Sequence, residues 1–340
     1  MERRKTFNDI LKVVFSLLLG GVILYWMYRD FDFKNVSRVV LHEMDWTWML
    51  LSFPFGILAQ MFRGWRWQMS LNPIGEYPRA STSINSIFFS YAVSLVVPRI
   101  GEFARCGVLK RYDGVSFTKA LGTVVTERII DSLLVLAITL LTLFFQLSVF
   151  DRFFSRTGTN IEIMFDRFST TGYVVTAVCA VAVLILLWYL LRRFSIYNKV
   201  KCTISGLMQG VFSFRGVKNM PLYVLFTLGI WVSYFLHYYL TFFCFEATSG
   251  LGMACALVTF IVGSIAVIVP TPNGAGPWHF AVKTMLILYG VGETDALYFV
   301  LIVHSVQTLL VILLGIYAWM ALAFTKKRKR GTEAVTVGNE

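Results

Sequence analysis

Ser94-Leu95-Val96-Val97-Pro98-Arg99-Ile100-Gly101-Glu102-Phe103-Ala104-Arg105 is the stretch that decides the fold. It closes an apolar run that starts at Ile84 and stops at Pro98, short of the roughly 20 residues a membrane-spanning helix needs. Pro removes a backbone donor and blocks helix continuation, and Gly permits a tight turn. Arg99, Arg105, Lys110, Arg111 and Lys119 follow the break. Whether those cations lie on the same side as the start of the run or on the opposite side fixes the topology.

The rest of the chain answers that. It is 57% hydrophobic and only 15% charged, whereas soluble domains hold about 25% charged residues. Its 30 Phe, 15 Tyr and 9 Trp suit lipid-facing helices and the lipid–water boundary. Six apolar segments have the length to span: about residues 10–28, 46–63, 117–149, 171–191, 220–245 and 296–324. Basic residues collect at Arg3-Arg4-Lys5, between Arg192 and Lys218, and at Lys326–Arg330, so those parts are placed on the cytoplasmic side. Both termini are then cytoplasmic in a multi-pass protein of the cytoplasmic (inner) membrane. The first segment ends in Tyr25-Trp26-Met27-Tyr28-Arg29 with no small-residue cleavage site, and reads as an uncleaved span.

In that frame a full crossing by Ile84–Val97 would export five cations. A hairpin that enters and leaves on the cytoplasmic side avoids the conflict. A second apolar run, Met253–Val269, meets Pro270-Thr271-Pro272-Asn273-Gly274-Ala275-Gly276-Pro277, and the stretch from Met253 to Asp295 must begin and end on the outside. Irregular backbone at membrane depth persists only where protein or a water-filled cavity satisfies it. The expected fold is therefore all-α, with six spanning helices and two oppositely oriented re-entrant hairpins. Ser94–Pro98 resembles Ala266-Val267-Ile268-Val269-Pro270, and each is followed by a polar pair in a helix, Arg128/Asp131 and His304/Gln307. This reads as an inverted repeat with halves near 46–149 and 220–324, a common transporter plan. Residues 1–325 form the membrane domain and 326–340 a basic, polar cytoplasmic tail.

Candidate site residues follow from the cost of charge in oil. Glu127, Arg128 and Asp131 lie in an otherwise apolar helix, where each ionised side chain costs about 2.5–3.5 kcal/mol on the insertion scale. Such groups face a polar interior, either as an ion-pair lock or as a substrate path. Arg99, Glu102 and Arg105 stand at the first break, where Arg offers a fork of donors suited to phosphate, or else forms an ordinary solvated loop. Asn273, His279, His304 and Gln307 supply polar groups around the second break, as ligands or as packing. Arg63, Trp65, Arg66 and Trp67 read as an anchor at the end of the second span.

Other classes are disfavoured. The net charge of +12 fits a cytoplasmic bias better than nucleic-acid binding. The five Cys have no metal-ligand spacing and read as reduced packing residues, and no metal or cofactor is expected. No nucleophile elbow or phosphate-binding glycine loop is present, so the chain is not expected to be an enzyme.

Through Pro98–Arg105, Glu127-Arg128-Ile129-Ile130-Asp131 and Pro270–Gly276, the chain resembles the membrane region of lysylphosphatidylglycerol synthases, the flippase-like domain of the multiple peptide resistance factor. The resemblance runs from about Val13 to Ala323. It implies a helical flippase-like fold and movement of lipid between leaflets, with Arg99, Glu102, Arg105, Glu127, Arg128 and Asp131 on the lipid path. The family often has Glu where this chain has His279, which bears on the headgroup handled. With no aminoacyl-transferase domain alongside, the chain is not expected to make lysylphosphatidylglycerol. The expected partner is a membrane phospholipid or lipid-linked anion, with a second copy of the chain also allowed. An accessory role beside a lipid or glycan synthase, or an enzyme acting on lipid-linked substrates, are the competing readings.

Overall fold

The structure is a computed structural model that describes residues 18, 20–29, 31, 33–145, 208–269 and 271–328. All regular secondary structure among them is helical. The expected span at 171–191, the start of the first span, the end of the third, Cys179, Cys202, Pro270 and the tail from residue 329 lie outside the described residues.

Helical residues 20–28 form α1. Then come α2 (Trp46–Leu71), α3 (Ala80–Val96), α4 (Ile100–Asp113) and α5 (Phe117–Phe145). The second half supplies α6 (Met220–Tyr239), α7 (Gly252–Ala266), α8 (Pro277–Leu288) and α9 (Glu293–Ala323). The order long helix, paired shorter helices, long helix thus occurs twice. Two helices among the described residues are long and apolar enough to cross a membrane, Met220–Cys244 and α9. The apolar helices that end at the two breaks, α3 and α7, are shorter.

Local chemistry explains the boundaries. Asp45 caps α2 by accepting the Thr47 backbone N–H at 2.8 Å, and Gly75 reverses the chain beyond its end with φ of 74°. At 26 residues α2 is roughly 39 Å long. The helix therefore continues well past Arg63, where a charge count places its end. Arg63, Arg66 and Trp67 are buried, not anchored at a boundary. Their charges are tolerated because partners on other helices meet them.

α3 packs on α4 and α7 packs on α8, so each break is the tip of a helical hairpin. Small residues allow the close approach, as is usual where lipid gives no hydrophobic drive between helices. A Cβ on Gly101 would overlap the Ser90 carbonyl, and one on Gly263 would sit 2.8 Å from the Trp278 ring nitrogen. Gly64 of α2 fits against Ile84 of α3 in the same way.

Among the described residues, two that are not Gly have positive φ. They are Arg99 (65°) and Asn273 (52°), one at each tip. The left-handed region costs an ordinary L-residue about 1–2 kcal/mol, and such strain collects where geometry matters for function. The tips also meet. Arg99 Nη2 donates to the Ile268 carbonyl at 3.0 Å, and α3 contacts the turn Pro272–Gly274.

Two buried apolar clusters flank this meeting point. Trp67, Ile87, Cys106, Leu109 and Val124 fill the first half, and Met49, Phe242, Val282, Phe299 and Val303 the second. Outward faces are apolar as well. Leu133, Leu136 and Leu140 on α5, Leu225 and Leu228 on α6, and Leu309, Leu313 and Trp319 on α9 are all exposed. Apolar surface of that extent marks contact with lipid or protein rather than water.

Candidate functional site: a buried ion network beneath the first hairpin

Glu127 and Asp131 are four residues apart and share one face of α5. That face meets α2 and α4. Asp131 accepts two hydrogen bonds from α2, from Arg63 Nη1 at 2.7 Å and Arg66 Nη1 at 2.8 Å. Glu127 sits between Arg66, whose Nε is 3.6 Å away, and Arg105 of α4, whose Nη1 is 2.9 Å away. All five side chains are nearly inaccessible, with Arg66 and Glu127 completely so.

Among the described residues, three guanidiniums face two carboxylates, leaving one positive charge in excess. The valences are also incompletely filled. Arg66 Nε and Nη2, every nitrogen of Arg105 and both oxygens of Glu127 lack an aligned hydrogen bond among the described residues. The Arg105–Glu127 pair is thus close in distance but off the bonding direction. Arg105 is further held by stacking its guanidinium 4.6 Å above the Trp67 ring. Trp67 in turn donates its indole N–H to Thr123 Oγ1 at 2.8 Å.

Arg128 takes the adjoining face of α5 and points outward. Its Nε lies 2.7 Å from Glu102 Oε1, and the two side chains are 47% and 31% exposed. Arg99 is exposed at the tip, three residues before Glu102. The first-hairpin candidates therefore divide. Arg105, Glu127 and Asp131 belong to the buried network, while the Arg128–Glu102 pair and, at the tip, Arg99 are accessible.

From Arg128 the surface of α5 turns apolar. Ile129, Leu133, Leu136 and Leu140 are 50–61% exposed and recur at helical spacing, so they form one stripe leading away from the Arg128–Glu102 pair.

The second hairpin gathers the other candidates. Asn273 Nδ2 donates to Thr308 Oγ1 at 2.7 Å, and the Asn273 carbonyl lies 3.1 Å from His304 Nε2. The His279 and His304 rings are 4.4 Å apart between centroids. Both line a cavity of about 520 Å³ together with Tyr25, Tyr28 and Phe33. Gln307 points elsewhere, donating to the His237 carbonyl at 3.4 Å. Beside the buried network, the Tyr91 and Tyr234 hydroxyls are 2.9 Å apart, with the Arg63 guanidinium 5.9 Å from the Tyr234 ring centre. α5 contacts both α4 and α7, one helix of each hairpin.

Arg63 and Arg66 are the network members that sequence reasoning assigned elsewhere. One signal pointed to them. Glu127 and Asp131 outnumber the single Arg128 beside them, so α5 needs cations from another helix, and an Arg pair three residues apart matches a carboxylate pair four apart.

The family model described as Lysylphosphatidylglycerol synthase TM region matches residues 11–315. No curated protein and no solved structure matches the chain.

Proposed function

Because this chain belongs to the lysylphosphatidylglycerol synthase TM region family, we propose that it translocates a phospholipid or other lipid-linked anion between the leaflets of the membrane. In this reading the α3/α4 and α7/α8 pairs are re-entrant hairpins inserted from opposite leaflets as an inverted repeat. Six helices span, both termini are cytoplasmic, and the protein resides in the inner membrane.

One observation carries the proposal. Arg128 stands, partly exposed, at the head of the stripe Ile129, Leu133, Leu136 and Leu140. A charged group followed by an apolar track is complementary to an amphiphile with a phosphate head and acyl tails. The phosphate binds Arg128 and Arg99 through charge-assisted hydrogen bonds, and the tails stay in lipid along α5. Glu102 neutralises Arg128 until the headgroup displaces it, at little cost, since a half-exposed ion pair contributes about 0–1 kcal/mol. The excess positive charge of the buried network attracts the anion through a medium that screens weakly. Passage requires the tip contact between Arg99 and Ile268 to open, as in alternating access.

The test is reconstitution into vesicles carrying fluorescent phospholipids of differing headgroup. Wild-type protein is expected to speed transbilayer movement of at least one lipid with a phosphate headgroup above the protein-free rate. Failure to move any of them overturns the reading in favour of an accessory or enzymatic role.

A further inference from the structure

A second amphiphilic site lies away from the hairpin tips, at the end of the molecule where α4 and α9 finish. The C-terminal ends of α4 and α9, with α3 behind them, enclose a cavity of about 660 Å³. Apolar Phe89, Gly107 and the exposed Trp319 line it beside Arg111, Tyr112 and Lys327. No carboxylate among the described residues lines it. Among the described residues no ion pair engages Lys110, Arg111, Lys326 or Lys327, and all four are exposed.

Groups that would repel an anion here are already engaged. Asp113 is fully buried and held by Arg79, with Nη2 2.7 Å from Oδ1. The Tyr112 carbonyl, at the negative end of α4, accepts from Arg79 Nη2 at 3.2 Å and from the Arg328 backbone N–H at 2.8 Å. A third bond, Arg79 Nη2 to the Lys326 carbonyl at 3.0 Å, pins the segment after α9 across the mouth of the cavity. The chain thus places two cations beside an apolar recess and caps the α4 carbonyl that would repel an anion.

The geometry points to a resident site for an anionic glycerophospholipid, distinct from the proposed transport path. Its phosphate is held by Arg111 and Lys327, and an acyl chain occupies the recess between Gly107 and Trp319. Basic pockets between helices at one membrane face recognise acidic headgroups in this way. Charge selects anionic over zwitterionic lipid, and the apolar lining selects lipid over free phosphate. The site stands independently of translocation.

The test is native mass spectrometry of the detergent-solubilised full chain titrated with dioctanoyl phosphatidylglycerol, dioctanoyl phosphatidylcholine or inorganic phosphate. Wild type is expected to bind a first phosphatidylglycerol at least about tenfold more tightly than phosphatidylcholine. Arg111→Ala/Lys327→Ala, both on the surface, is expected to remove that preference. Gly107→Phe supplies an independent arm: a Cβ there meets nothing within 4 Å, and a ring at this position is expected to enter the recess and weaken binding while the thermal midpoint stays at the wild-type value. The inference is overturned if the double variant retains the preference, if Gly107→Phe binds as wild type does, or if inorganic phosphate displaces the lipid.

Discussion

The Arg99 guanidinium donates to the Ile268 carbonyl across 3.0 Å, so the tip of the first hairpin holds the tip of the second. Each tip carries its own residue in the left-handed region, Arg99 and Asn273. Among the described residues one side-chain hydrogen bond joins the two strained turns, and the proposed translocation requires that contact to part.

Asp131→Ala leaves Arg63 and Arg66 buried without their shared carboxylate. Removing one partner of a buried ion pair costs about 3–5 kcal/mol. The variant is expected to lose its monodisperse peak in gel filtration at temperatures where wild type keeps it. Wild-type behaviour would show that the network contributes little to the fold.

Arg128→Ala is expected to act on movement and not on stability. The Arg128–Glu102 pair is half-exposed, so its loss costs no more than about 1 kcal/mol and leaves the thermal midpoint near wild type. The rate of lipid movement is expected to fall about tenfold or more, as the phosphate loses a charge-assisted contact. Arg128→Lys should recover it only in part, because an ammonium cannot donate in a planar fork. A rate unchanged by Arg128→Ala would remove the residue from the path.

The hairpin breaks are legible in the sequence because Pro, Gly and charge punctuate the chain locally. Arg99, Glu102, Arg128 and Asp131 are legible for the same reason, since a charge in an apolar run must be accounted for. Which charges pair is a different kind of fact. Spacing alone sets Arg128 beside Asp131, yet Arg128 reaches Glu102 and Asp131 binds two arginines of α2. Those contacts depend on helix rotation, which small residues such as Gly64 and Gly101 decide through packing against Ile84 and Ser90. The end of α2 is misread from charge alone for the same reason, because Arg63 marks water only when nothing inside the protein neutralises it.

At the second tip, Asn273→Ala and Asn273→Gly separate strain from bonding. Both lose the 2.7 Å bond to Thr308, but only Ala pays for positive φ. Ala is expected to be less stable than Gly by about 1 kcal/mol, read as a lower thermal midpoint. Equal midpoints would mean that the turn relaxes away from φ of 52°.

Packing inside the first hairpin gives a further contrast. Gly101→Ala forces a methyl into the Ser90 carbonyl, whereas Gly107→Ala places one in open space. Low yield and aggregation are expected for the first and wild-type yield for the second. Equal yields would argue that α3 and α4 do not pack as closely as described.

The most direct test of the account is to lock the two tips together. In a background lacking the native cysteines, Arg99→Cys and Ile268→Cys are joined by a short linker cleavable by reductant, and lipid movement is followed in vesicles before and after cleavage. The account predicts that the tethered protein is at least about tenfold slower than the untethered and that cleavage restores the rate. Undiminished movement by fully tethered protein would contradict it, because lipid would then be crossing without the tips parting.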